Sequence, residues 1–169
     1  MTSEQKHVQE WMVKAQQDTP DRPVWPEFAV RKLRVNLIAE ELTELCEAFG
    51  LKICVDTRRG KKAHIEVIEN EQKPALTRED YIEAYDGVCD LMVVVLGTGV
   101  AMGCEVKPGF DEVMDSNDSK FIDGRRRADG KWEKGPSYRK ANLGPILDAQ
   151  IIAAQEHDKQ QALPTFSQP

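Results

Sequence analysis

Two short runs of carboxylates carry the chemistry in this sequence: Glu40, Glu41 and Glu44 in one, Glu83, Asp86 and Asp90 in the other. At about 100° per helical residue, the first three share about 100° of arc and the second three about 60°. Both sets interrupt apolar stripes. Val30, Leu33, Leu37 and Ala48 project from the first arc, and Val94, Gly97 and Ala101 continue the second. Carboxylates that converge on one interior repel one another and lose hydration, unless cations or protons neutralise them. A hard divalent cation is the simplest neutraliser. Neither run contains the histidine of a Glu-x-x-His di-iron or di-manganese site. All-oxygen ligation favours Mg²⁺, with Mn²⁺ as a substitute. His7, His64 and His157 lie elsewhere and read as surface residues.

The elements that must position these acids follow from periodicity and punctuation. A first helix is expected from about Ser3 to Gln17, ahead of the polar, proline-rich DTPDRPVWP. A second runs from about Glu27, after Pro26, to Gly50, which suits the residue just past a helix end. Its other side carries Ile38, Leu42, Leu45 and Phe49, so this helix is apolar on two sides. LKICVD and AHIEVIE, separated by TRRGKK, alternate as the strands of a small hairpin do. Thr77 is the expected N-cap of a long acid-bearing helix that ends near Gly103, with Glu79 and Asp80 in its first turn. A shorter helix from about Pro108 to Asp118, a loop from Ser119 to Asn142 and a last helix from about Pro145 to Gln160 complete the chain. The expectation is one all-α domain over 1–160, a bundle of four to five helices with a small hairpin between the acidic helices. A flexible tail is expected over 161–169.

At the acids the sequence resembles the all-α nucleoside triphosphate pyrophosphohydrolases, the MazG-like and phosphoribosyl-ATP pyrophosphohydrolase-like proteins. The family pattern EExxE followed by ExxD is matched by Glu40-Glu41-Leu-Thr-Glu44 and by Glu83-Ala-Tyr-Asp86. The continuation from Asp86 through Asp90, the segment FDEVMDSNDSK (110–120), Asp129-Gly130-Lys131 and the KGPSY of Lys134–Tyr138 resemble a branch common in phages and bacteria. The likeness covers most of residues 30–145. It implies a MazG-like bundle that cleaves a nucleoside triphosphate to the monophosphate and pyrophosphate with Mg²⁺. It also implies Glu41, Glu44, Glu83 and Asp86 as metal ligands. Asp90 is then a ligand or a supporting acid, and Glu40 binds a further metal or accepts a proton from the attacking water. Lys120 and Lys134 are the expected phosphate contacts, with Arg34 as a further cation and Asn117 and Tyr138 nearer the nucleotide. Arg125, Arg126 and Arg127 read as a solvated basic loop.

Relatives act on dUTP, dCTP or purine triphosphates, and a deoxynucleotide is favoured here, dGTP slightly ahead of dUTP or dCTP. The reading from another class is a catalytically silent nucleotide-binding or regulatory protein that retains the carboxylates. A nucleic-acid binder is disfavoured by the net charge of −6. The nearly uncharged run Leu91–Cys104 is shorter than the roughly 20 residues of a membrane span and reads as a buried helix. Nothing in MTSEQKHVQEW resembles a secretory signal, so the expected location is the cytoplasm, a host's if the protein is phage-encoded. Cys46, Cys54, Cys89 and Cys104 lack CxxC pairing and read as buried free thiols. Two helices with more apolar sides than a short bundle covers imply a homodimer or a dimer of dimers.

Overall fold

A computed structural model describes residues 1–56, 64–71 and 77–161. Among these, helices dominate and the strands form one two-stranded antiparallel sheet, an all-α fold with a hairpin. The chain divides into two compact units, Met1–Trp25 with Gly99–Pro169, and Pro26–Thr98.

The second of these units carries the acids. Helix α2 (Phe28–Ala48) closes at Gly50, whose φ of +69° is the left-handed conformation that glycine adopts without strain. The Gly50 N–H donates to Glu47 O at 2.9 Å and the Asn70 N–H donates to Gly50 O at 2.7 Å. One residue thus ends the helix and ties the hairpin to it. Strands β1 (Leu51–Asp56) and β2 (His64–Glu69) pair from Leu51 opposite Glu69 to Asp56 opposite His64. The TRRGKK turn lies outside the described residues, as does 162–169 of the expected tail; Gln161 closes the last helix. Helix α3 (Arg78–Ala101) starts on a reciprocal cap: the Asp80 N–H donates to Thr77 Oγ1 at 3.3 Å, and Thr77 N–H and Oγ1–H donate to Asp80 Oδ2 at 2.7 and 2.9 Å. Where α3 passes α2, Gly87 faces Leu45, and a Cβ there would sit 3.3 Å from Leu45 Cβ. The missing side chain lets the two acid-bearing helices approach.

In the other unit, α1 (Ser3–Lys14) is capped by Thr2, whose Oγ1 accepts from the Gln5 N–H at 3.2 Å. The helix is shorter than expected, because the chain leaves it through Ala15 and Gln16, the latter at φ +56°. Gln5 is fully buried and its amide uses both ends: Nε2 donates to Cys104 O at 2.7 Å, and Oε1 accepts from the Val106 N–H at 3.0 Å. That second bond satisfies an opening N–H of α4 (Val106–Asp118), which therefore begins before Pro108, a residue tolerated in a first turn. The region expected as loop after Ser119 contains one helical turn, α5 (Lys120–Asp123), and a bridge between Arg126 and Trp132. The last helix, α6, spans Gly144–Gln161.

Two burial expectations are corrected. Only Cys46 of the four free thiols is buried; Cys104 is intermediate, and Cys54 and Cys89 are exposed. The apolar half of α3 is not covered all round: Val94, Val100 and Ala101 are buried, whereas Met92, Val93 and Val95 are exposed. By length and composition α3 is also long and apolar enough to cross a membrane. A core helix of a soluble protein has the same length and composition, so these alone do not separate the two.

Candidate active site

Helices α2 and α3 enclose a hollow of ≈ 350 Å³ lined by Glu44, Glu47, Ala48, Glu83, Asp86, Gly87 and Asp90. Five carboxylates face it, and no Lys or Arg is among its described lining residues. Glu40 and Glu41 stand one turn earlier on α2. The Glu41 carboxyl is pushed above the usual range, first by burial and then by the negative charges of Asp90, Glu44, Glu40 and Asp86. Acids from both helices therefore share one electrostatic field. The expected burial is only partial: Glu41 and Asp90 are half-buried, and Glu40, Glu44, Glu83 and Asp86 are exposed along the open hollow.

Among the described residues no three His, Cys, Asp or Glu side chains converge to metal-holding spacing. The chemistry of the donors nevertheless fits a hard cation, being all oxygen, anionic and mutually repelling around one water-accessible volume. A cation would draw these side chains inward. Glu47 is a member that the motif reading passed over. It lies seven residues after Glu40, two turns along the same face, so the helical period could have found it.

Arg34 is 5% exposed and already engaged in interactions within the chain. It does not line the hollow. The remaining expected substrate contacts gather in the other unit. Lys120 Nζ donates to Asn117 Oδ1 at 2.7 Å, while Lys120 Nζ and Lys134 Nζ lie 6.0 and 4.3 Å from the centre of the Tyr138 ring. The Tyr138 hydroxyl is held below the ordinary tyrosine range, chiefly by the Ser116 hydroxyl 3.4 Å away. Burial opposes this, and the Lys134 and Lys120 ammonium groups add to the lowering. Asn117, Lys120, Lys134 and Tyr138 thus form one cationic cluster, although Lys120 and Lys134 are fourteen residues apart in sequence. Arg125, Arg126 and Arg127 are exposed, with Arg125 paired to Glu133 and Arg127 to Asp129.

The signature of phosphoribosyl-ATP pyrophosphohydrolase matches residues 6–117, well over half of the chain and both acid-bearing helices. The chain belongs to that family. It is thereby a member of the MazG-like nucleoside triphosphate pyrophosphohydrolase superfamily, hydrolases of acid anhydride bonds that typically use a divalent metal. No curated protein matches the chain. The family match stops at Asn117, ahead of Lys120, Lys134 and Tyr138.

Proposed function

We propose that this pyrophosphohydrolase cleaves a nucleoside triphosphate between its α- and β-phosphates, releasing the monophosphate and pyrophosphate with Mg²⁺ as cofactor. The observation that carries this reading is the shared field of acids on α2 and α3, which lifts the Glu41 carboxyl and surrounds one hollow. Glu41, Glu44, Glu83 and Asp86 are the residues to hold the cation, with Asp90 beside them. When bound, Mg²⁺ supplies the positive charge that offsets the phosphate oxygens and acidifies the attacking water. Glu40 takes up the proton of that water as the anhydride bond breaks. Asn117, Lys120, Lys134 and Tyr138 bind the anionic and polar parts of the nucleotide. The preferred substrate is a deoxynucleotide, dGTP ahead of dUTP or dCTP, and the role is nucleotide-pool control or phage nucleotide metabolism in the cytoplasm.

The test is a panel of ribo- and deoxynucleoside triphosphates with Mg²⁺ or Mn²⁺, beside phosphoribosyl-ATP, the compound for which the matched family is named. Chromatography resolves monophosphate, diphosphate and pyrophosphate. Equimolar monophosphate and pyrophosphate, formed fastest from dGTP, is the expected result. Turnover of phosphoribosyl-ATP alone would reassign the substrate. Stoichiometric nucleotide binding without release of pyrophosphate would instead mark a catalytically silent protein.

A further inference from the structure

Glu112, Ser116, Ser119 and Asp123 recur at spacings of four, three and four residues along α4 and α5, the period of one helical face. Each uses its side chain on the same returning segment. Asp123 accepts from the Ser137 N–H at 3.0 and 3.2 Å. Ser119 Oγ accepts from the Arg139 N–H at 2.9 Å and donates to Ser116 O at 2.7 Å. Ser116 Oγ donates to Arg139 O at 2.8 Å. Glu112 pairs with the Arg139 guanidinium and accepts from the Asn142 N–H at 2.7 Å. Partners rise in number as the stripe residues fall, so the segment runs antiparallel to the helical stripe. Ser116 and Ser119 are buried, at 4% and 9% exposure, which gives the two hydroxyls no water to replace these partners. Close approach is enforced again at Gly135, where a Cβ would lie 2.1 Å from Asp123 Oδ1.

We propose that Ser116, Ser119 and Asp123 are positioning residues: a polar rail that docks the 134–139 segment on α4 and α5, and so builds the anion-binding cluster of Lys120, Lys134 and Tyr138. The rail needs to fix backbone, because a lysine on an untethered loop loses side-chain and main-chain freedom on meeting phosphate. It also explains why SNDSK and KGPSY act as one unit: the first supplies Ser116, Asn117, Ser119 and Lys120, the second Lys134, Ser137 and Tyr138. The role in substrate binding rests on the function proposed above, whereas the docking itself does not.

Ser119 and Asp123 are not members of the cluster, and each holds the segment by a backbone N–H, so Ser119→Ala and Asp123→Ala are the informative changes. Tyr138 is the reporter, titrated by ultraviolet absorbance as the difference from Tyr138→Phe. Its facing groups are Ser116, Lys120 and Lys134. Undocking parts Tyr138 from the Ser116 hydroxyl, the chief cause of its lowering, and from Lys120, so both variants should titrate Tyr138 higher than the parent. Asp123→Asn, which keeps a carbonyl acceptor for the Ser137 N–H, should restore the parental titration. In turnover, both alanine variants should raise KM for the triphosphate about fivefold or more with kcat within about twofold. Folded Ser119→Ala and Asp123→Ala proteins with parental Tyr138 titration would overturn the rail. If the parent turns over no triphosphate, the functional reading falls, and the Tyr138 titration still decides the docking.

Discussion

Glu40 and Glu41 are neighbours in sequence to which the proposed function gives different work. Glu41 lies in the field of four other acids, so its charge is the one most costly to keep without a cation. Glu41→Gln or Asp86→Asn should therefore weaken Mg²⁺ binding, with partial recovery at high metal, since an amide offers only a neutral carbonyl to a hard cation. Glu40→Gln should leave metal and nucleotide bound while kcat falls by roughly 10²-fold, and added metal should not restore it. Calorimetric Mg²⁺ titration with a non-hydrolysable triphosphate, beside steady-state rates, checks both expectations. Parental metal binding and turnover in Glu41→Gln and Asp86→Asn would sink the two-helix metal site. On the cationic side, Lys134 sits on the Tyr138 ring, whereas Arg126 belongs to an exposed bridge with Trp132. Lys134→Ala should raise KM well beyond Arg126→Ala; equal effects would remove the distinction between cluster and loop.

At the scale of elements, side-chain hydrogen bonds do what the backbone cannot. Replacing Gln5 by Ala removes the partners of Cys104 O and the Val106 N–H, both part-buried, a loss of about 1–3 kcal/mol. Urea unfolding should show it as a lower midpoint with little change in slope. The Glu112 carboxyl is depressed, first by its hydrogen bond from Arg139 and then by the Asn142 N–H. A depressed carboxyl contributes stability that is present above its unfolded value and lost as pH falls through the folded one. Thermal unfolding from pH 7 downward should therefore lose less for Glu112→Gln than for the parent across the acid range. An identical acid limb in the two proteins would show that this pair adds nothing. These contacts mark the border of what the sequence discloses. The acid stripes of α2 and α3, the Thr77 cap, Gly50 and the hairpin are written in local spacing, which periodicity and propensity read directly. Gln5 is one polar residue on an ordinary amphipathic helix, and its partners lie roughly a hundred residues away; no local pattern announces them. The stripe from Glu112 to Asp123 was not legible even as a period, because Ser119 and Asp123 fall in a stretch that resembles loop, as do the backbone groups that partner it. Arg34 is the converse case: it was expected as a further cation beside EExxE, and its helical position places it in the interior, which proximity in sequence does not disclose.

For the whole molecule, the informative surface is the apolar one. On α2, Leu33, Val35 and Leu42 are exposed; on α3, Tyr85, Val88, Met92, Val93 and Val95 are exposed. All of these belong to the unit that carries the acids. Isolated apolar residues on a surface mean little, but successive turns of one long helix exposing Val and Met side chains form a face that water disfavours. Such a face is covered by a lipid, a partner or another copy. Asp86 and Asp90 on the same helix make lipid burial costly, since each would have to be neutralised or paired. Self-association has no such penalty: a two-fold axis brings the same apolar face against itself and leaves the acids open to water and cation. We therefore expect a homodimer or a dimer of dimers in detergent-free buffer. Light scattering behind size exclusion measures the mass at micromolar concentration. Val88 and Val95, seven residues apart, share that face, and replacing both by lysine should shift the mass toward the monomer while helix content, read by circular dichroism, stays the same. A monomeric parent would remove the argument, as would a double variant whose mass equals that of an oligomeric parent.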